Sequence, residues 1–186
     1  MARSGLTRAV LVTAAADIAD AQGLDAVTFA RLAQRLGVKP PSLYNHVENL
    51  PALLDALMTL ALTEMLELSR GAIMGRSGWD ALAAMAHTQR AYAAAHPGRY
   101  AATFRSLHVR AGGEQAIADA YLELFLAALR SYGLHGPDAL HTVRCLRAAI
   151  GGFIELETRG GFGMKLDIDE SFRRLLNLLK EGIQIK

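Results

Sequence analysis

A three-residue break that begins at Gly37 separates two short helical patterns, and it constrains the fold more than any other feature of the chain. Before the break, apolar residues recur at the spacing of three and four that is typical of one helix face. After it, Leu43 and Val47 are apolar and one turn apart. Gly37 can adopt the left-handed conformation that ends a helix. The pattern therefore predicts a helix-turn-helix, with a second helix from about Pro41 to Val47.

The second helix of such a motif can enter the major groove of DNA. We expect Pro40 to be its cap, since residues before proline avoid the α region, and Leu43 and Val47 to face the core. Asparagine can pair with adenine, and proline rings can touch a thymine methyl group. The side chains left free to face bases are then Lys39, Pro40, Pro41, Ser42 and Asn45.

Helical spacing continues through the rest of the chain, without strand alternation or an internal repeat. Thr7, Thr28, Asn49 and Asp169 can act as N-caps. Glycine-rich stretches at 71–78 and 159–166 are typical of loops. We predict an all-α fold with about nine helices, over residues 7–22, 28–36, 41–47, 50–68, 79–95, 97–104, 114–132, 137–158 and 169–181.

About the first sixty residues resemble the tetracycline-repressor (TetR) family of bacterial transcriptional regulators. The matching residues, in the family's order and spacing, are Thr7-Arg8, Ala14-Ala15, Gly23, Thr28, Ala33, Gly37-Val38 and Leu43-Tyr44-Asn45-His46-Val47. The resemblance implies that Tyr44 and His46 meet DNA phosphates, and that the helix end at Thr28 lies against the DNA backbone. The alternatives are a buried Tyr44 and a Thr28 that only caps its helix. The family usually has Phe at Val47 and a phosphate-binding Lys at Leu50, so one backbone contact is missing here.

The resemblance also implies two domains: a helix-turn-helix domain at 1–50 and a helical effector-binding and dimerisation domain at 51–186. A weaker C-terminal similarity includes Trp79, whereas Gly151-Gly152 replaces the His-Gly of the related regulators. In the family the C-terminal helices surround an effector cavity, and such cavities are mostly apolar with a few polar groups. The candidate effector residues are Trp79, Met85, Gln89, Tyr92, Phe104, Leu107, His108, Tyr121, Phe125 and Arg144. For each large apolar or aromatic residue among them, including Met85 and Leu107, a place in the ordinary core is the alternative.

The last two helices are the predicted dimer surface. Glycines at 151 and 152 cost a helix roughly 1 kcal/mol each relative to alanine, which a close backbone contact would justify. A helix kink is the competing interpretation. The candidate dimer residues are Ile150, Gly151, Phe153, Ile154, Phe172, Leu175, Leu176 and Leu179.

Composition excludes several classes of protein. The 186 residues, 52% apolar and 20% charged, suit a globular protein. No apolar run is long enough to span a membrane, and a signal peptide is not expected. Cys145 is the single cysteine, which fits a cytoplasmic protein. A net charge of +2 argues against binding nucleic acid by bulk charge alone.

No spacing typical of a metal site or a nucleophilic enzyme occurs, so we expect neither enzymatic activity nor a metal or cofactor. The preferred hypothesis is a dimeric, ligand-responsive repressor that reads a palindromic double-stranded DNA operator with helix 41–47. A small, largely apolar effector would release it. The alternative is an all-α ligand-binding or protein-interaction module whose helix-turn-helix is purely structural.

Overall fold

The computed structural model describes residues 5–104 and 113–184, and this part of the chain contains no strand. Its α-helices are α1 (Arg8–Gln22), α2 (Phe29–Leu36), α3 (Leu50–Ala72), α4 (Gly78–Ala95), α5 (Pro97–Ala102), α6 (Gly113–Leu129), α7 (Gly136–Thr158) and α8 (Ile168–Gln184). Short 3₁₀ helices lie at Leu24–Ala26, Pro40–Leu43 and Arg130–Tyr132. The all-α prediction is confirmed. The predicted α-helix 41–47 is instead one of the 3₁₀ segments.

Side-chain caps begin the first three α-helices, as the sequence predicts. The side-chain oxygens of Thr7, Thr28 and Asn49 each accept a hydrogen bond from the backbone N–H three residues later, at 3.3, 3.3 and 2.8 Å. Gly37 ends α2 with a φ of 65°, the left-handed conformation expected there. These local contacts fix where the helices of the DNA-binding motif begin and end.

Two helix ends differ from the prediction. Asp167, and not Asp169, caps α8, because its carboxylate accepts hydrogen bonds from the N–H groups two and three residues later at 2.9 and 3.3 Å. Asp169 lies within the first turn of that helix. Helix α3 continues through Gly71 to Ala72, beyond its predicted end at residue 68. A single glycine costs a helix only about 1 kcal/mol, which the rest of a long helix can offset.

The chain divides into two compact units. Unit 1 comprises Met1–Glu64 and Ala95–Gln115, and unit 2 comprises Met65–Ala94 and Ala116–Lys186. The division falls within α3 and assigns α5 to unit 1. The domain boundary predicted at residue 50 separates two functions, whereas the division into units reflects packing. The predicted boundary therefore stays a prediction.

One apolar core holds unit 1 together. Its fully buried members come from α1, α2, the 3₁₀ segment, α3 and α5, and they include Leu11, Leu32, Leu43, Leu57 and Ala102. Because these side chains come from five elements, the helix-turn-helix is held by α3 and α5 as well as by α1.

Arg99 connects α5 to α1 and α3 within unit 1. Its backbone N–H donates to the Asp20 carboxylate at 2.8 Å. Its guanidinium lies 3.1 Å from Asp20 and 3.2 Å from Glu64. The ring Nδ1 of His96 is 3.2 Å from the same Asp20 carboxylate. Asp20 therefore contacts three groups at the start of α5: the ring of His96, which precedes the helix, and the backbone N–H and guanidinium of Arg99.

Arg90 connects α4 to α7 and α8 within unit 2. Its guanidinium donates two hydrogen bonds to Glu157, at 2.7 and 2.6 Å, and pairs with Asp169 at 2.7 Å. It also lies over the Phe172 ring, 4.8 Å from the centroid. Hydrogen bonding to Glu157, more than the pairing with Asp169, raises the pKa of Arg90 above its ordinary value. This cluster fixes the start of α8 against α4.

Candidate nucleic-acid interface and effector region

The chain after α2 forms a tight 3₁₀ turn where the sequence predicts an α-helix over 41–47. Lys39 occupies the cap position and Pro40 the first helical position, one residue earlier than predicted. The Val47 N–H donates to the Leu43 carbonyl at 3.2 Å, so a helical turn continues to Val47. Because two adjacent prolines lack N–H groups and fix φ, a short 3₁₀ segment is compatible with this sequence.

Two buried side chains anchor residues 39–47, which we call the recognition segment. Leu43 and Val47 lie in the unit 1 core, which confirms that they face inward. The exposed side chains of the segment are those of Lys39, Pro40, Pro41, Tyr44 and Asn45, and the half-buried ones are those of Ser42 and His46. The segment therefore presents cationic, apolar, hydroxyl and amide groups on one short turn.

Tyr44 is exposed over 57% of its surface, so the alternative of a buried Tyr44 is wrong. Its ring meets the Phe29 ring of α2 edge-on, with centroids 4.9 Å apart and an interplanar angle of 76°. Contacts of this kind stabilise aromatic pairs. Phe29 on α2 thus orients the exposed side chain of Tyr44 in the recognition segment.

Thr28 is half-buried at the N-terminus of α2, where its hydroxyl caps the helix. Arg31 is exposed in the first turn of the same helix, and its guanidinium donates to the Gln22 side chain at 2.6 Å. Arg31 is absent from the predicted DNA-binding set, since its position beside the capped helix end is visible only in the fold. Helix N-termini attract anions, and an adjacent cation adds to that effect.

The predicted effector residues occupy different environments. Those buried in unit 2 are Met85, Tyr92, Tyr121 and Phe125. Those half-buried in unit 2 are Trp79 and Gln89. Arg144 is exposed on α7, and Phe104 is exposed in unit 1. Leu107 and His108 lie outside the described residues. The rings of Tyr121 and Phe125 meet edge-on with centroids 5.5 Å apart.

Ser69 is a buried polar residue that the sequence did not indicate. Its hydroxyl on α3 and the Tyr121 hydroxyl on α6 are both buried. Burial raises the pKa of the Tyr121 phenol, and a hydrogen bond with Ser69 acts in the opposite direction. A serine within an apolar helix gives no signal in the sequence that distinguishes it from a serine on a solvent-facing side.

The predicted dimer residues are largely covered by their own chain. The buried ones are Ile150, Gly151, Ile154, Phe172 and Leu176, and the half-buried ones are Phe153, Leu175 and Leu179. A side chain that is buried within its own chain has no exposed surface left to bury against a second copy. The buried residues therefore belong to the core of unit 2, and the outer faces of α7 and α8 remain open for contact.

The described part of the chain contains no group of three or more His, Cys, Asp or Glu side chains that could hold a metal ion. Within the same residues, no helix has the length and apolar character needed to cross a lipid bilayer.

A helix-turn-helix with an exposed, anchored recognition segment defines a DNA-binding protein, and sequence comparison gives its family. The family model described as "Bacterial regulatory proteins, tetR family" matches residues 11–57, and "Tetracyclin repressor-like, C-terminal domain" matches residues 82–179. The chain belongs to the TetR family of transcriptional regulators, which are not enzymes.

Similar proteins cover the whole chain. The uncharacterized HTH-type transcriptional regulator YobS of Bacillus subtilis (strain 168) is 32% identical over 98% of this chain and 95% of its own. The crystal structure of BioQ with its natural double-stranded DNA operator is 25% identical, with a TM-score of 0.72 over 98% of this chain and 100% of that chain. ActR of Streptomyces coelicolor, solved with (S)-DNPA, is 24% identical, with a TM-score of 0.72 over 97% and 98% of the two chains, and shows the shared fold.

Proposed function

We propose that two copies of this chain form a repressor that binds an approximately palindromic operator and releases it when a small, largely apolar effector binds. The observation that carries the proposal is the recognition segment, where buried Leu43 and Val47 hold exposed side chains away from the core. BioQ, a neighbour of the same fold, is known in a complex with its operator.

The recognition segment would read bases with few side chains. Asn45 is exposed, and its amide can form a bidentate pair with adenine. Ser42 can donate or accept a further hydrogen bond, while Pro40 and Pro41 can contact thymine methyl groups. Base edges reached in this way would specify the sequence of each half-site.

Phosphate contacts would set the position of the segment on the duplex. Lys39, Tyr44 and His46 surround the base-reading residues and carry donors suited to phosphate oxygens. The N-terminus of α2 at Thr28, with Arg31 in the same turn, supplies backbone N–H groups and positive charge. Such placed contacts agree with a net charge of only +2.

Fluorescence anisotropy with a labelled duplex from the DNA upstream of the gene tests this function. We expect that duplex to bind about 10³-fold or more tightly than a scrambled one. Asn45→Ala should weaken specific binding by about 1–3 kcal/mol. The matched control, Gln115→Ala, removes an exposed amide on α6, outside the recognition segment and the proposed dimer helices, and should leave affinity unchanged.

Equal affinity for the two duplexes would refute sequence-specific binding and favour a module with a structural helix-turn-helix. Unchanged affinity in Asn45→Ala alone would remove Asn45 from the base-reading set. A reporter gene under the same upstream DNA tests the sign of regulation, and we expect its expression to rise when the regulator is deleted.

We assign the dimer contact to the outer faces of α7 and α8. These faces expose Leu140, Leu156 and Leu178. Gly152 is exposed in the middle of α7, and a Cβ atom there would meet nothing within 4 Å in its own chain. Close approach of a second α7 would account for this glycine. Two helices from each copy would form a four-helix contact about a two-fold axis, with recognition segments about 34–36 Å apart.

The effector would bind among the buried aromatic side chains of unit 2. Tyr92, Tyr121 and Phe125 are large and apolar in their greater part, as in most cavities for small molecules. ActR, which has this fold, was solved with the small molecule (S)-DNPA. An effector that prefers a conformation unsuited to DNA would lower operator affinity by its differential affinity for the two states.

A further inference from the structure

Two exposed arginines of α2 are held by different kinds of group on α1. Arg31 and Arg35 lie one helical turn apart. The Arg31 guanidinium donates to the side-chain oxygen of Gln22 at 2.6 Å. The Arg35 guanidinium donates to the Asp17 carboxylate, also at 2.6 Å. The two arginines are thus held equally closely, but one partner is a neutral amide and the other is an anion.

The charge of Arg35 is accounted for within the folded chain. One carboxylate oxygen of Asp17 accepts from Arg35, and the other lies 3.6 Å from the Arg99 guanidinium on α5. A DNA phosphate that approached Arg35 would also approach this carboxylate, and like charges repel. Arg35 lies in the last turn of α2, where a cation stabilises a helix through its dipole. These contacts give Arg35 a structural role.

The charge of Arg31 has no such explanation. Within residues 5–104 and 113–184, Arg31 forms no ion pair, and its side-chain partner is the neutral Gln22. Arg31 lies in the first turn of α2, where a cation opposes the helix dipole instead of stabilising the helix. A guanidinium has five N–H donors, so the hydrogen bond to Gln22 leaves others for a second acceptor. Arg31 therefore keeps its full positive charge on a side chain that is already held in place.

The first turn of α2 also contacts the recognition segment. Phe29, two residues before Arg31, packs edge-on against Tyr44 with the ring centroids 4.9 Å apart. This turn therefore lies alongside the segment that we propose enters the major groove. Side chains that flank a groove-binding element are placed to contact the phosphates that border the groove.

We propose that α1 determines which arginine of α2 binds DNA: Gln22 positions the charged Arg31 on a backbone phosphate, whereas Asp17 neutralises Arg35. The inference rests on the proposed DNA-binding function, and it makes Gln22, which lies outside the helix-turn-helix, a positioning residue. Holding a long side chain in its bound conformation reduces the conformational entropy that is lost on binding.

The salt dependence of DNA affinity gives the first test, because each phosphate contact contributes about 0.9 to the slope of log K against log salt concentration. Arg31→Gln should reduce the size of this slope by about 2, since a dimer would lose one contact in each copy. It should weaken binding to the upstream and scrambled duplexes equally, because phosphates carry no sequence information. Fluorescence anisotropy between about 50 and 200 mM salt measures both quantities.

Arg35→Gln is the matched control, since it removes the same charge from the same helix and should leave the slope native. Circular dichroism checks that each variant is folded. An unchanged slope in Arg31→Gln, or an equal decrease in Arg35→Gln, would overturn the proposal.

The role of Gln22 gives the second test, in which both arginines are retained. Gln22→Glu replaces the amide by a carboxylate of nearly the same size, so it should neutralise Arg31 and reduce the slope by about 2. Gln22→Ala leaves the charge of Arg31 intact and should keep the native slope, with weaker binding because the side chain is no longer held. Gln115→Glu adds the same charge at an exposed position on α6 and should have no effect on the slope. A native slope in Gln22→Glu, or an equal decrease in Gln115→Glu, would overturn the role of Gln22.

The two duplexes separate this inference from the proposed function. A phosphate contact can be measured on either duplex, whereas the proposed function requires a preference for the upstream one. Equal affinity of the native protein for both, with a reduced slope in Arg31→Gln, would refute sequence-specific regulation and support the Arg31 contact. A clear preference for the upstream duplex, with an unchanged slope in Arg31→Gln, would refute only the inference about Arg31 and Gln22.

Discussion

Gly98 packs directly on the backbone of Ala19. A Cβ atom added at Gly98 would lie 2.0 Å from the carbonyl carbon of Ala19 and 2.1 Å from its oxygen, so no side chain fits there. This close approach allows the N–H of the next residue, Arg99, to reach Asp20 at 2.8 Å. The glycine is thus required by contact between α1 and α5 and not by its own backbone angles.

Gly98→Ala should lower the free energy of unfolding by about 1–3 kcal/mol, since the new methyl group must displace backbone atoms. Urea unfolding followed by circular dichroism measures the change. Gly71→Ala is the matched control: its Cβ would meet nothing within 4 Å, and alanine in a helix should add about 0.5–1 kcal/mol. Native stability in Gly98→Ala would show that the α1–α5 contact is looser than described.

Arg90→Ala should lower the free energy of unfolding by roughly 1.5–3 kcal/mol, because Glu157 and Asp169 lose a partner that is only 18% exposed. Thermal and urea unfolding measure this. Arg130→Ala is the control, because its pair with Glu123 is exposed at 3.4 Å and should contribute at most about 0.5 kcal/mol. Equal effects of the two substitutions would contradict a structural role for the Arg90 cluster.

Leu178→Glu should dissociate the proposed dimer, because it places charge on an apolar side chain that is 67% exposed on α8. Size-exclusion chromatography with light scattering would detect the monomer. Met74→Glu changes an apolar residue that is 78% exposed and lies outside α7 and α8, and it should leave the dimer intact. Persistence of the dimer in Leu178→Glu would show that the dimer interface lies on another face of the protein.

The Glu170 carboxyl should titrate far below its ordinary range. Hydrogen bonds from Arg173 and then Arg174 lower the pKa of Glu170 from 4.5 to about 2. Since the folded-state pKa is lowered, the contribution to stability is fully present above pH 4.5 and is lost as the pH falls towards 2. Carbon-detected NMR titration measures the pKa, which should return towards 4.5 in the Arg173→Gln, Arg174→Gln double variant. An unshifted pKa of the Glu170 carboxyl in the native protein would contradict its hydrogen bonds with Arg173 and Arg174.

Local sequence signals located most of the helices because caps and apolar faces depend on residues within one or two turns. Thr28 and Asn49 cap as predicted, and Leu43 and Val47 face inward. The prediction of an α-helix from residue 41 was wrong, because residues 40–43 form a 3₁₀ helix. An α-helix has 3.6 residues per turn and a 3₁₀ helix has 3.0, and over so few residues the two give nearly the same pattern of apolar side chains.

Long-range relationships could not be read from the sequence. Arg90 and Glu157 are 67 residues apart, and Arg99 and Asp20 are 79 apart, so no local pattern connects them. Periodicity marked Phe172 as part of an apolar stripe, but it did not show whether the same chain or a second copy would cover it. The structure shows that the same chain covers it.

The attachment of α5 to α1 has a consequence for engineering chimeric regulators. If residues 1–64 were transplanted alone as the DNA-binding part, they would lack Ala102, a buried member of their core, and Asp20 would lose its contacts with His96 and Arg99. A graft designed to change promoter specificity should therefore exchange residues 95–104 together with residues 1–64, although thirty intervening residues stay with the recipient.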